Sequence, residues 1–137
     1  GNGITTITGI SLDWTLQGLL GYIVWPFAWF MGIPSADCAI ISRLIGEKTI
    51  LNEFVAFTSF SRLLSTGSQL SPRTVVIASY ALCGFANFGS AAIWIGGIGT
   101  IVPGKRKELA GLAVKCILGG TLAAFMTASV SGFFYTG

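Results

Sequence analysis

No charged residue lies between Asp13 and Asp37, between Arg73 and Lys105, or after Lys115. Each gap exceeds the roughly 20 residues that an α-helix needs to cross the hydrocarbon core of a bilayer. Backbone in that medium must satisfy its own hydrogen bonds, so only helices and closed barrels span it. Barrel strands alternate apolar and polar residues, whereas runs such as Val75-Val76-Ile77-Ala78 are apolar at consecutive positions. The expected fold class is therefore an all-α membrane protein. Charged residues make up 9% of the chain and hydrophobic ones 53%, against about 25% charged in a soluble domain.

Composition also excludes several kinds of chemistry. The chain has no histidine, which removes His-based triads, zinc-protease motifs and imidazole relays. Cys38, Cys83 and Cys116 have no metal-ligand spacing and are odd in number, so they are read as small apolar fillers and no metal site is expected. The net charge of +3 is concentrated in Lys105-Arg106-Lys107, which is no nucleic-acid footprint. That triplet is read as a cytoplasmic loop under the positive-inside rule. No nucleophile has a base beside it, and the glycines at 96 to 99 follow no strand, so neither an enzyme site nor a cofactor is expected.

A length of 137 residues allows three full crossings and one shorter element. The start, Gly1-Asn2-Gly3, lacks both an initiator Met and the features of a signal peptide, and the chain is read as the distal part of a longer protein. Residues 14 to 33 form the first expected crossing, with Trp14 and Trp29 as interfacial anchors and a kink at Pro26. Pro34-Ser35-Ala36-Asp37 is expected to cap the next helix.

From Cys38 to Ile45 the apolar run lasts only eight residues, a rise of about 12 Å and too little to cross. With Gly46-Glu47-Lys48-Thr49 as a polar tip and a second arm from Ile50 to Leu64, residues 38 to 64 are expected to form a re-entrant helical hairpin. A pair of short amphipathic helices on the membrane surface is the alternative. Ser71-Pro72 then reads as a helix start. The run from Thr74 to Val102 is longer than one crossing, and Gly84, Asn87, Gly89 and Ser90 in its middle fit a helix broken around a ligand. The last span covers 109 to 135, with Gly119, Ala123, Ala124 and Ala128 as a small-residue packing face.

Two polar interruptions stand out. Glu53, beside Asn52, is an ionisable residue where such residues are costly and mark pathways or ligand sites. An ionised carboxylate only accepts hydrogen bonds, which suits the paired hydroxyls of a sugar diol. The competing explanation is an ion pair with Lys48 or another basic residue. Asn87 and Ser90, three apart, can share a helix face toward the same hydroxyls, or can simply bond neighbouring helices. Phe85 can stack on a planar ring, although a lone Phe is more often core or lipid-facing.

These residues carry a resemblance. Leu51-Asn52-Glu53-Phe54-Val55-Ala56-Phe57, Ser71-Pro72-Arg73, Ala81-Leu82-Cys83-Gly84-Phe85-Ala86-Asn87-Phe88 and Gly96-Gly97-Ile98-Gly99 look like the C-terminal part of the concentrative nucleoside transporters, the NupC-like symporters. The resemblance covers essentially the whole chain. It implies a cation-coupled nucleoside symporter of the cell membrane, a homotrimer whose transport domains move in an elevator-like manner against a scaffold. Residues 1 to 37 would then be scaffold. Residues 38 to 137 would be transport domain, comprising the re-entrant hairpin 38–64, the broken helix 74–102 and the last helix 109–135, which together form the second half of an inverted-repeat fold. Glu53, Asn87 and Ser90 would bind ribose and Phe85 the base, with Asn52 as a further nucleoside-binding residue.

The chain departs from the family in two respects. Gly89 stands where the motif usually has a first serine, which leaves Ser90 as the functional one. The first hairpin, with its Gln-Thr-Glu segment and sodium site, is missing, so the coupling ion, Na+ or H+, has no ligands here. A cytoplasmic basic loop would place the C-terminus and the connector near Gln69 outside. The competing functional readings are a truncated or repurposed non-transporting membrane protein with the same recognition fold, and a channel lined by Glu53.

Overall fold

The computed structural model describes residues 15–67 and 69–136. They form six α-helices and one 3-10 turn in the order α1 (Leu16–Phe30), α2 (Ser35–Ile50), α3 (Glu53–Ser65), α4 (Pro72–Leu82), α5 (Phe88–Ile101), the turn Pro103–Lys105 and α6 (Arg106–Phe134). There is no strand among the described residues. The all-helical class expected from the charge gaps is what is found.

Thr15 starts α1 by accepting a hydrogen bond from the Gly18 amide at 3.1 Å, and Pro26 lies inside the helix without ending it. Gly32, with φ +91°, turns the chain out of α1, a conformation that costs glycine little. The expected anchor Trp14 lies outside the described residues, and Trp29 is exposed.

Helices α1 and α2 approach almost backbone to backbone. A Cβ on Gly46 would run into the Gln17 carbonyl oxygen, and one on Gly21 would lie 3.3 Å from the Arg43 Cα. Small residues permit this distance. Gly46 therefore lies inside a helix, and the expected tip at 46–49 is wrong. The helix α2 runs for 16 residues to Ile50, about 24 Å rather than 12 Å, and the chain turns at Leu51-Asn52.

The polar residues that suggested a turn are satisfied inside the fold. Glu47 accepts from the Ser59 hydroxyl of α3 at 3.1 Å, Thr49 donates to the Ile45 carbonyl at 2.8 Å, and Lys48 is fully buried. Polarity here is spent on bonds within α2 and to its neighbours, not on a solvent-facing turn.

Asp37 also differs from expectation. It does not cap its own helix: the N-cap of α2 is Pro34, with no side-chain cap bond. Its buried carboxylate instead reaches α4, accepting from the Thr74 hydroxyl at 2.5 Å and the Ser71 amide at 3.3 Å. Ser71 caps α4 through the Thr74 amide at 3.1 Å, with Pro72 at the first helical position. The α4 start is thus fastened to the α2 start, and the loop between α3 and α4 closes under that bond.

The core gathers Ile41 and Ile45 of α2, Phe60 of α3, Ile77 and Ala81 of α4, and Ala128 of α6. Of the four residues expected on the packing face of α6, Ala124 and Ala128 are buried there and Gly119 and Ala123 are not. Gly119 meets nothing and Ala123 is exposed, while Ala124, Ala128 and Gly132 are buried. Gly120 joins the same stripe, since a Cβ there would lie 3.0 Å from the Ala86 Cβ. A four-residue spacing keeps all four on one helix face.

The basic triplet is not a loop. Lys105 ends the 3-10 turn, and Arg106 and Lys107 open α6, where the helix dipole disfavours positive charge. Glu108 offsets this by accepting from Lys105 at 2.6 Å, and the Arg106 stem lies across Gly99.

Among the described residues, one stretch, Pro103–Phe134, is long and apolar enough to cross a membrane, with a mean hydropathy of 1.8. The helices α1 and α5 are apolar but shorter. Ile93, Trp94, Ile101, Phe133 and Phe134 point outward, each at least 67% exposed. Such a surface needs an apolar covering, as a protein or lipid interface does.

The α1–α2 contact predicts that Gly46→Ala overpacks the pair, a change that costs about 1–3 kcal/mol. Gly96→Ala, with nothing near its Cβ, should be neutral or stabilising. Thermal unfolding of the purified full-length protein should show a lower midpoint for the first variant only.

Candidate functional site

Four helix ends converge at one place. The C-terminus of α2 and the N-terminus of α3 flank Leu51-Asn52, and the C-terminus of α4 and the N-terminus of α5 flank the segment 83–87. Both new helices are started by an asparagine. Asn52 accepts from the Val55 amide at 2.9 Å, and Asn87 accepts from the Ser90 amide at 2.7 Å. Asparagine is among the best N-caps because its short side chain reaches the orphan amides of the first turn.

The two breaks touch. A Cβ on Gly89 would lie 3.1 Å from the Leu51 carbonyl oxygen and 3.3 Å from the Asn87 Oδ1, so the bare backbone of glycine is what lets the start of α5 approach the α2–α3 turn. Across the contact, Asn87 Nδ2 donates to Glu53 Oε2 at 2.9 Å. Asn87 is fully buried and Glu53 half-buried. Glu53 is the first residue of α3, with Asn52 outside the helix as its cap; the second arm thus begins three residues later than Ile50.

This arrangement places a carboxylate at the positive ends of two helix dipoles. Negative charge near a helix N-terminus is stabilised, and here α3 and α5 both contribute. With Oε2 taken by Asn87, Oε1 is left to accept from another donor. Ser90, also half-buried, is joined to Asn87 through its amide.

Phe85 and Asn52 stand apart from the bonded pair. Asn52 is exposed and engaged in capping. The Phe85 ring is 76% exposed and edges a groove of about 460 Å³ between α5 and α6, which Asn87, Ser90, Trp94 and Leu112 also line. Its volume is in the range of small-molecule sites.

The sequence reading missed Lys48. Its ammonium donates to the Ala81 carbonyl at 3.1 Å and lies beside Gly84. It therefore bonds the end of α4 and does not form the ion pair with Glu53 that was weighed as an alternative. The available signal was a lone lysine inside a helix-length stretch shortly before Glu53, where a solvent-facing role needs a turn that the chain does not make.

Comparison with known proteins bears on this arrangement. The family model described as "Na+ dependent nucleoside transporter C-terminus" matches residues 2–132, and the chain belongs to that family. The family is one of membrane transporters, not enzymes. The chain is 42% identical over 118 residues to the nucleoside permease NupC of Helicobacter pylori, with 85% of this chain and 28% of that protein covered. Human solute carrier family 28 member 3 is 39% identical over 126 residues, with 83% of this chain and 18% of that protein covered. The structure of CNTnw in an inward-facing substrate-bound state superposes with a TM-score of 0.82 at 41% identity, with 96% of this chain and 32% of that chain covered. The chain thus spans less than a third of the length of these relatives.

The inter-helix bond can be tested by reversing it. Asn87→Asp keeps a capping acceptor but sets two carboxylates against each other, which should lower the unfolding midpoint by an amount that reflects about 1–3 kcal/mol for an unsatisfied group. Combining it with Glu53→Gln restores a donor opposite an acceptor, and most of the lost stability should return.

Proposed function

We propose that this chain forms part of a cation-coupled nucleoside symporter and carries the ribose end of its substrate site. The observation that supports this most is the 2.9 Å bond between Asn87 and Glu53 at the meeting point of two helix N-termini. A carboxylate held by an amide at the N-termini of two helices is oriented and open at one oxygen. Two vicinal hydroxyls of a ribose can donate to Glu53, while Asn87 and Ser90 complete the polar side. Bonds from a neutral diol to a charged acceptor are of the stronger kind, about twice the strength of neutral pairs.

Phe85 supplies an apolar face for the base, and Asn52 positions Glu53 by starting its helix. The hairpin of α2 and α3 is re-entrant in this proposal, because helix ends and non-helical backbone at membrane depth are tolerated only against protein or a wet cavity. The exposed apolar faces of α5 and α6 fit contact with the lipid bilayer and with the rest of the transporter. Residues 1–37 belong to the scaffold and 38–137 to the moving part, in a homotrimer that works as an elevator. Lys105-Arg106-Lys107 lie on the cytoplasmic side and the C-terminus outside. The coupling ion, Na+ or H+, is bound by residues outside this chain.

Two measurements on the full-length transporter test the reading. Glu53→Gln should reach the membrane in normal amount yet lose uridine uptake by about a hundredfold or more, as when a charged hydrogen-bonding partner is removed from a buried site. Undiminished uptake would refute the role. Uptake measured while the sodium and proton gradients are varied independently should depend on one of them; uptake indifferent to both would refute coupling.

A further inference from the structure

Lys48 is the one lysine among the described residues with no exposed surface, and the ribose-binding reading gives it no task. An ammonium removed from water is costly unless it is paired and hydrogen-bonded, so its place needs a reason. Near the end of α2, three residues of chain before Leu51, it sits where the dipole of its own helix favours a cation. Its reach to the Ala81 carbonyl places it at the C-terminal end of α4 as well. There the Cys83 amide serves the Ser79 and Tyr80 carbonyls, and Lys48 serves the next.

The pattern is the electrostatic converse of Glu53. Two helix C-termini, negative ends, hold the ammonium, and two helix N-termini, positive ends, hold the carboxylate. Covalently, the same short segments join them: 48–53 on one side and 81–87 on the other. Lys48 to Ala81 and Asn87 to Glu53 are thus two rungs between the same two rails. Between the rungs, Gly84 lies beside the ammonium, where a Cβ would stand 3.6 Å from Nζ.

We propose that Lys48 is a positioning residue for ribose recognition: a tethered cation that fixes the spacing of the two breaks, so that the Glu53 carboxylate stays aimed at the diol. This rests on the reading of Glu53 as the diol acceptor. Neutralising Lys48 frees the α4 end and slackens the Asn87–Glu53 rung. The loss then falls on the sugar hydroxyls and not on the base.

The test measures dissociation constants of uridine and 2′,3′-dideoxyuridine for the full-length transporter in nanodiscs, as wild type, Lys48→Met, Lys48→Arg and Glu53→Gln. Lys48→Met should weaken uridine by about thirtyfold, the lower range for truncating one member of a buried charged contact, while the dideoxy analogue changes little. The preference for uridine should survive in Lys48→Arg. Equal weakening of both nucleosides in Lys48→Met, or no weakening, overturns the proposal, because a generally loosened fold does not distinguish the two ligands. If Lys48→Met does not fold, a folded Lys48→Arg that keeps the preference supports the proposal, and one that loses it overturns it. Glu53→Gln separates the two levels of argument. If that variant keeps the preference, the diol reading itself fails; if it loses the preference and Lys48→Met does not, only the role of Lys48 fails.

Discussion

The bond from Asn87 to Glu53 ties together two interrupted helices, and the local design follows from making it possible. Its donor is also the cap of α5 and its acceptor the first residue of α3. One amide side chain therefore satisfies an orphan helix amide with its oxygen and holds a carboxylate with its nitrogen. Asparagine can do both because it carries an acceptor and a donor on one planar group. The Gly89 backbone lets the two breaks approach closely enough for that reach.

Interrupted helices create charge without ionisation. Each break exposes one negative and one positive helix end, and two breaks side by side double both. The positive pair receives Glu53 and the negative pair Lys48, so an acid and a base are accommodated side by side at the junction. Neither sits as a bare charge. Each has a hydrogen-bond partner and a dipole of the opposite sign, the conditions under which buried charge is tolerable.

The rest of the fold keeps this junction in place. Asp37 binds the starts of α2 and α4 together, and the Gly21–Gly46 approach fixes α2 on α1. The stripe from Gly120 to Gly132 seats α6 along the breaks, with Gly120 against Ala86 and Gly132 against Ile77. Much of the outer surface remains apolar, which suits a chain that spans less than a third of its relatives and works in a family of membrane transporters.

Charge segregation alone determined the helical class, because apolar stretches without charges leave a backbone few ways to satisfy its hydrogen bonds. The motifs around Glu53 and Asn87 identified the family, and Ser71-Pro72 marked a helix start through local chemistry. What the sequence did not determine was where polarity is spent. Gly46-Glu47-Lys48-Thr49 looks like an exposed turn yet lies within a helix, and Lys105-Arg106-Lys107 is exposed but ends a 3-10 turn and opens a helix. On α6 the sequence placed Ala124 and Ala128 on the packing face but not Gly120 and Gly132, since neighbouring glycines and alanines serve equally until a partner helix selects a face. Only the tertiary structure decided that Lys48 is buried and that Asp37 bonds the start of a distant helix, because a polar side chain declares that it needs a partner and not where in space the partner will be.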